Sequence, residues 1–71
     1  MLLTADIGNT NITFGIFKKD KLVKSFNIPT KCYGFKLLKQ SLGKSSLDDA
    51  IICSVVPKAT AVLSSDLENL I

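Results

Sequence analysis

The residues best equipped for chemistry lie together near the start of the chain, in Asp6-Ile7-Gly8-Asn9-Thr10-Asn11. A carboxylate stands at the end of a short apolar run, and a glycine with three amide or hydroxyl side chains follows at once. Those types suit a phosphate and the cation that accompanies it. Gly8 lets backbone come close to an anion, Asn9, Thr10 and Asn11 offer donors to phosphate oxygens, and Asp6 can orient a hydrated Mg²⁺. The same residues also suffice for an ordinary turn, because Asp and Asn bond their own backbone and Gly accepts positive φ. Residue types alone leave both readings open.

Elsewhere the chemistry is thin. The chain has no His and only two cysteines, Cys32 and Cys53, which excludes imidazole catalysis and leaves no zinc-ligand spacing. Cys53, inside an apolar run, reads as a small core hydrophobe with nothing to activate its thiol, and Cys32 as exposed. Asp48 and Asp49 point to opposite faces of an extended segment and read as loop solvation, while Asp66 and Glu68 read as the outer face of a helix. Nine Lys and no Arg against six acids give a net charge of +3, which favours anionic partners in general. Lys lacks the planar fork that reads base edges, and the basic stretch Lys18, Lys19, Lys21 and Lys24 has no exposed aromatics between its charges. Phe14, Phe17 and Phe26 are needed for the core, so no nucleic acid is expected as a partner. Ser54 closes an apolar strand, where sites of α/β proteins cluster.

The elements that must position these residues follow from the patterning. Residues 2–6 form a short apolar strand; Ile12-Thr13-Phe14-Gly15-Ile16-Phe17 is rich in β-branched and aromatic side chains and forms the second. The third is Leu22-Val23-Lys24-Ser25-Phe26-Asn27-Ile28, with Leu22, Phe26 and Ile28 on one side and Pro29 as its stop. Short connections favour an antiparallel meander. Phe35, Leu38 and Leu42 then recur at helical spacing, ended by Gly43; Gly34 weakens the start if it lies inside. The run Ala50-Ile51-Ile52-Cys53-Ser54-Val55-Val56 is apolar at every position and reads as a parallel strand buried on both faces. After Pro57, Ala59, Leu63, Leu67 and Leu70 mark a second amphipathic helix. The predicted order is β-β-β-α-β-α, a mixed α/β sheet. With 71 residues, 46% hydrophobic and 21% charged, the chain holds one domain with a core and no room for a second. Met1-Leu2-Leu3-Thr4-Ala5-Asp6 has no basic leader, and no run approaches the ~18 apolar residues of a membrane span, so a cytoplasmic protein without membrane contact is expected.

The opening Leu2-Leu3-Thr4-Ala5-Asp6-Ile7-Gly8-Asn9-Thr10-Asn11-Ile12-Thr13-Phe14-Gly15-Ile16-Phe17 resembles the first phosphate motif of type III pantothenate kinases, members of the acetate kinase, sugar kinase, Hsp70 and actin superfamily. Asp20-Lys21-Leu22 resembles the family's turn between its second and third strands. Ile51-Ile52-Cys53-Ser54-Val55-Val56-Pro57 resembles its Ile-Ser-Ser-Val-Val-Pro segment. The motifs occur in the family's order and cover about half of the chain.

The resemblance implies a ribonuclease-H-like (actin-like ATPase) half-domain, incomplete, in which residues 1–71 are a single N-terminal ATP-binding subdomain and the second domain is absent. Asp6 is then the metal residue, holding the Mg²⁺ of ATP through water, and Gly8, Asn9, Thr10, Asn11 and Thr13 contact the phosphates, with Lys18 as a further source of charge. The family's Gly-x-Asp-Arg segment, which carries the expected general base, and its second phosphate motif lie beyond these residues, so no general base is expected among them. The implied reaction is transfer of the ATP γ-phosphate to pantothenate, the first step of coenzyme A biosynthesis, by a cytoplasmic homodimer that requires K⁺ or NH₄⁺; the fragment alone is expected to be inactive. Asn27-Ile28-Pro29-Thr30 departs from the family's Arg-Ile-x-Thr, and Lys58 stands where a second Pro is frequent. A non-catalytic ribonuclease-H-like interaction module, or a truncated remnant, is the alternative, and another acceptor within the superfamily is disfavoured by the Ser54-Val55-Val56-Pro57 segment.

Overall fold

Alternation of apolar and polar residues builds three strands in succession, and the computed structural model, which describes residues 1–71, carries them as β1 (Leu2–Ile7), β2 (Asn11–Lys18) and β3 (Lys21–Pro29). A single 3₁₀ turn at Thr30–Cys32 leads to α1 (Phe35–Leu42), then β4 (Asp49–Ser54) and α2 (Pro57–Glu68). The sheet order is β3-β2-β1-β4, with β1 antiparallel to β2, β2 antiparallel to β3, and β4 parallel to β1. The expected β-β-β-α-β-α order and mixed α/β sheet are both present. Gly34 stands just outside α1 as its N-cap, so no helix-interior penalty arises, and Gly43 ends the helix at φ 61°, a conformation glycine adopts without strain.

One face of the sheet makes the core. Leu3, Ala5 and Ile7 of β1, Ile12, Phe14 and Ile16 of β2, and Ile28 of β3 are buried there with Leu38 and Leu42 of α1 and Leu63 and Leu67 of α2, so both helices cover the same side. Phe14 stacks on Phe26 across the β2–β3 pair, with ring centroids 5.0 Å apart and planes inclined by 20°. The opposite face carries no helix. On it, Phe17, Leu22 and Thr4 gather over Gly15, where an added Cβ would stand 2.8 Å from Thr4 Oγ1 and 3.3 Å from Leu22 Cδ1. Glycine is required there because the neighbouring side chains already fill the space.

Leu22 is a departure from the expected side. Ile16 pairs with Lys24 but Phe17 pairs with Leu22, so Val23 is an extra residue, a β-bulge. A bulge shifts the alternation by one, which turns Leu22 to the open face while Phe26 and Ile28 keep the core side. Lys24 also leaves the basic stretch: its ammonium lies over the Phe26 ring and donates to the Ser41 carbonyl in the last turn of α1, where a cation opposes the helix dipole favourably.

The second departure is β4. It is an edge strand, not a central one, and alternate residues are exposed, with Ile51 58% accessible and Cys53 open to solvent. An unbroken apolar run needs cover on both faces to be buried, and only one face of β4 meets α2. The two edges are unlike: β3 has Lys21, Lys24, the bulge and Pro29, whereas β4 has no Lys, Pro or bulge.

Asp66 is not on an outer face as its helical position suggested. It accepts a hydrogen bond of 2.6 Å from the Tyr33 hydroxyl, tying the segment before α1 to α2. Burial, the hydrogen bond and the Asp66 charge all raise the Tyr33 pKa well above the usual tyrosine value. The folded chain therefore keeps a proton that the unfolded chain releases near pH 10, so stability is level below that pH and falls above it. Tyr33 is the only tyrosine, and there is no Trp. Tyrosinate absorbance thus reports this group alone: its native midpoint is expected above that of the urea-unfolded chain, and Tyr33→Phe is expected to flatten the alkaline loss of stability relative to the unmodified chain.

Candidate functional site

Asp6, Gly8, Asn9, Thr10, Asn11 and Thr13 lie together at one end of the sheet. Asp6 lies opposite Thr13 on β2 and beside Cys53 on β4, and Thr13 lies opposite Asn27 on β3. These four form a single row on the helix-free face, all exposed, with cross-strand Cβ separations of about 4.5–5.5 Å in the antiparallel pairs. Asp6 takes no part in an ion pair; the chain's one such pair joins the Met1 amine to Asp48 at 2.5 Å. No three acid, Cys or His side chains converge anywhere. A cation at Asp6 must therefore complete its shell from water and ligand oxygens, which is how Mg²⁺ with a nucleotide is usually held, and the donor set fits it.

The turn at residues 8–10 follows this row directly. Gly8 N–H donates to Asn11 O at 2.9 Å, Thr30 N–H donates to Thr10 O at 2.9 Å, and the Thr30 hydroxyl donates to Gly8 O at 2.8 Å. The carbonyls of Gly8, Thr10 and Asn11 are thus occupied and that of Asn9 accepts nothing, while the N–H groups of Asn9 and Thr10 donate to nothing in the chain. The side chains of Asn9, Thr10 and Asn11 are exposed. Two successive free N–H donors in a turn favour anions. Gly8 does not have positive φ; only Lys19 and Gly43 do. Its glycine answers to crowding instead, since a Cβ there would lie 3.3 Å from Asn11 O.

The segment after β4 reaches the same end. Val55 N–H donates to Ile7 O at 3.1 Å, so the chain turns into α2 beside the last residue of β1. Ser54 pairs with Ile7 on the helix-covered face and spends its hydroxyl on Val56, accepting from its N–H at 2.9 Å and donating to its carbonyl at 3.2 Å. It fixes the entry to α2 and offers little to a ligand. Lys18 is excluded from the site: it closes the far end of β2, seven residues from Asn11 and so about 24 Å away. None of the surface concavities includes residues 6–13, so the row and the turn stand on open surface.

The family model for type III pantothenate kinase matches residues 2–71, the whole chain but for its first residue. The chain belongs to the type III pantothenate kinase family. It is 42% identical to the type III pantothenate kinase of Agathobacter rectalis over 94% of this chain and 30% of that protein. It is 44% identical to that of Bifidobacterium longum subsp. infantis over 82% of this chain and 27% of the relative, and 43% identical to that of Finegoldia magna over 80% and 26%. The chain therefore spans under a third of the length of these type III pantothenate kinases.

Within this type III pantothenate kinase segment, the sequence pointed to Asp6, Gly8, Asn9, Thr10, Asn11 and Thr13, and the fold brings all six together. It did not point to Thr30, which reaches the turn from 22 residues away. Nor did it point to the company Asp6 keeps with Cys53 and Asn27, since cross-strand neighbours follow from register, which the bulge and the parallel pairing set.

Proposed function

We propose that this chain is the N-terminal, phosphate-binding part of a kinase that transfers the γ-phosphate of ATP to pantothenate, built as a ribonuclease-H-like half-domain. One observation carries the reading: a turn with free N–H donors at Asn9 and Thr10 adjoins an unpaired carboxylate, Asp6, in a chain that matches the family from residue 2 to residue 71. In phosphoryl transfer the protein contributes position and electrostatic stabilisation more than covalent chemistry. The backbone donors and the side chains of Asn9, Thr10, Asn11 and Thr13 bind and orient phosphate oxygens, and Gly8 admits the close approach. Asp6 holds Mg²⁺, which supplies charge neutralisation on the phosphates. No residue of the 71 stands as a general base toward an acceptor hydroxyl, so the chain alone binds nucleotide without turnover. The monovalent cation, the homodimer and the cytoplasmic location belong to the same proposal and rest on family kinship.

The test is an amide NMR titration of the 71-residue chain with Mg-ADP, joined to an assay of pantothenate phosphorylation. Shifts confined to residues 8–13, with no phosphopantothenate formed, are expected. Dispersed spectra that ignore Mg-ADP at millimolar concentration overturn the reading in favour of a non-catalytic interaction module. A longer form of the protein that binds ATP yet never phosphorylates pantothenate overturns the substrate assignment.

A further inference from the structure

The Thr30 contacts have a directional effect on the turn. No peptide bond in the chain is cis. In a trans peptide the C=O and N–H of one unit point in opposite directions, so fixing an oxygen also aims the next residue's hydrogen. Thr30 fixes two such units at once: its hydroxyl takes Gly8 O and its N–H takes Thr10 O. The N–H groups of Asn9 and Asn11 are thereby turned away from Thr30. Without these bonds the residue most free to rotate is Gly8, and rotation of either unit would present a carbonyl oxygen, which repels an anion.

We propose that Thr30 is a positioning residue for the phosphate-binding turn, acting through its hydroxyl on Gly8 O to hold the Asn9 N–H outward. This rests on the nucleotide-binding reading above, and concerns a residue outside the turn that acts through Gly8 O. Position 30 also sits in a segment braced from its other side, since Tyr33 bonds Asp66 of α2. A residue that merely packed would need its methyl group; this role needs the hydroxyl.

The experiment compares four forms of the 71-residue chain by Mg-ADP titration, read at the amides of residues 8–13: unmodified, Thr30→Val, Thr30→Ser and Tyr33→Phe. Thr30→Val keeps the shape and deletes the donor, and a loss of about tenfold in affinity is expected, the worth of one hydrogen bond. Thr30→Ser restores the donor and is expected within about twofold of the unmodified chain. Tyr33→Phe loosens the same segment without touching the turn, and its affinity is expected unchanged. Unmodified chain that binds while Thr30→Val binds equally well overturns the role of Thr30 and leaves the nucleotide reading standing. Equal losses in Thr30→Val and Thr30→Ser, or in Thr30→Val and Tyr33→Phe, overturn it as well, because the effect would then be packing or general loosening. If Thr30→Val fails to fold, Thr30→Ser with unmodified affinity beside a tenfold weaker Thr30→Ala sustains the proposal, and equal affinities of those two overturn it. An unmodified chain that ignores Mg-ADP removes the nucleotide reading and this role with it.

Discussion

Phe14→Ala abolishes the cooperative urea transition of this chain, or brings its midpoint below half of the original. Phe14 is fully buried in the middle of β2 and stacks on Phe26, so truncation leaves a ring-sized void between the sheet and the helices. Phe→Ala in such a site costs about 3–5 kcal/mol. A domain of this length has roughly 4–11 kcal/mol in all, at the usual stability per residue. Only 13 of 71 residues are buried, which sets the chain near the lower end of that range. The loss is then comparable with the whole. Val62→Ala, on the 53% exposed outer side of α2, is the control, expected to change stability by no more than about 0.5 kcal/mol. Far-UV circular dichroism against urea reads both. A Phe14→Ala chain with an unmoved midpoint would show that the sheet-to-helix interface is not the main source of stability.

Asp6→Asn has the opposite signature: stability holds and nucleotide binding falls. The substitution keeps size and removes charge at an exposed residue outside the chain's one ion pair, so the stability read from urea unfolding is expected within about 0.5 kcal/mol of the original. Mg-ADP affinity is expected to drop by about 10- to 100-fold, the range for losing a charge-assisted contact. Metal-free ADP, whose phosphates the carboxylate repels, is expected to bind Asp6→Asn at least as tightly as the unmodified chain. If Asp6→Asn binds Mg-ADP as tightly as the unmodified chain, the carboxylate does not hold the metal and the row on the open face has another use.

The sequence was most legible where local pattern and burial agree. The apolar run of β1, the β-branched and aromatic residues of β2, the stop at Pro29, the helical spacing of Leu38 and Leu42 and of Leu63 and Leu67, and the Gly43 terminator all come from interactions within a few residues. The site was legible for the same reason, since Asp6, the turn and Thr13 are neighbours along the chain. What escaped depended on distance. The bulge at Val23 changes the face of Leu22 without any change in composition, and the exposure of Cys53 depends on how many strands the sheet has. Tyr33 with Asp66 and Thr30 with Gly8 join residues 33 and 22 positions apart, and no spacing rule foretells either. Gly8 was recognised as a special position, though crowding by Asn11 O, not its φ, is the cause.

The unlike edges of the sheet give it a direction of growth. Along β3, lysines, a proline and a bulge make a poor template for another strand. Along β4, about three residues turn their N–H and C=O outward, and Asp49 at its start is the one charge on the strand. A strand that joins this sheet is favoured beside β4 over β3. At high concentration the same edge is the molecule's aggregation hazard, which the net charge of +3 opposes by repulsion between copies.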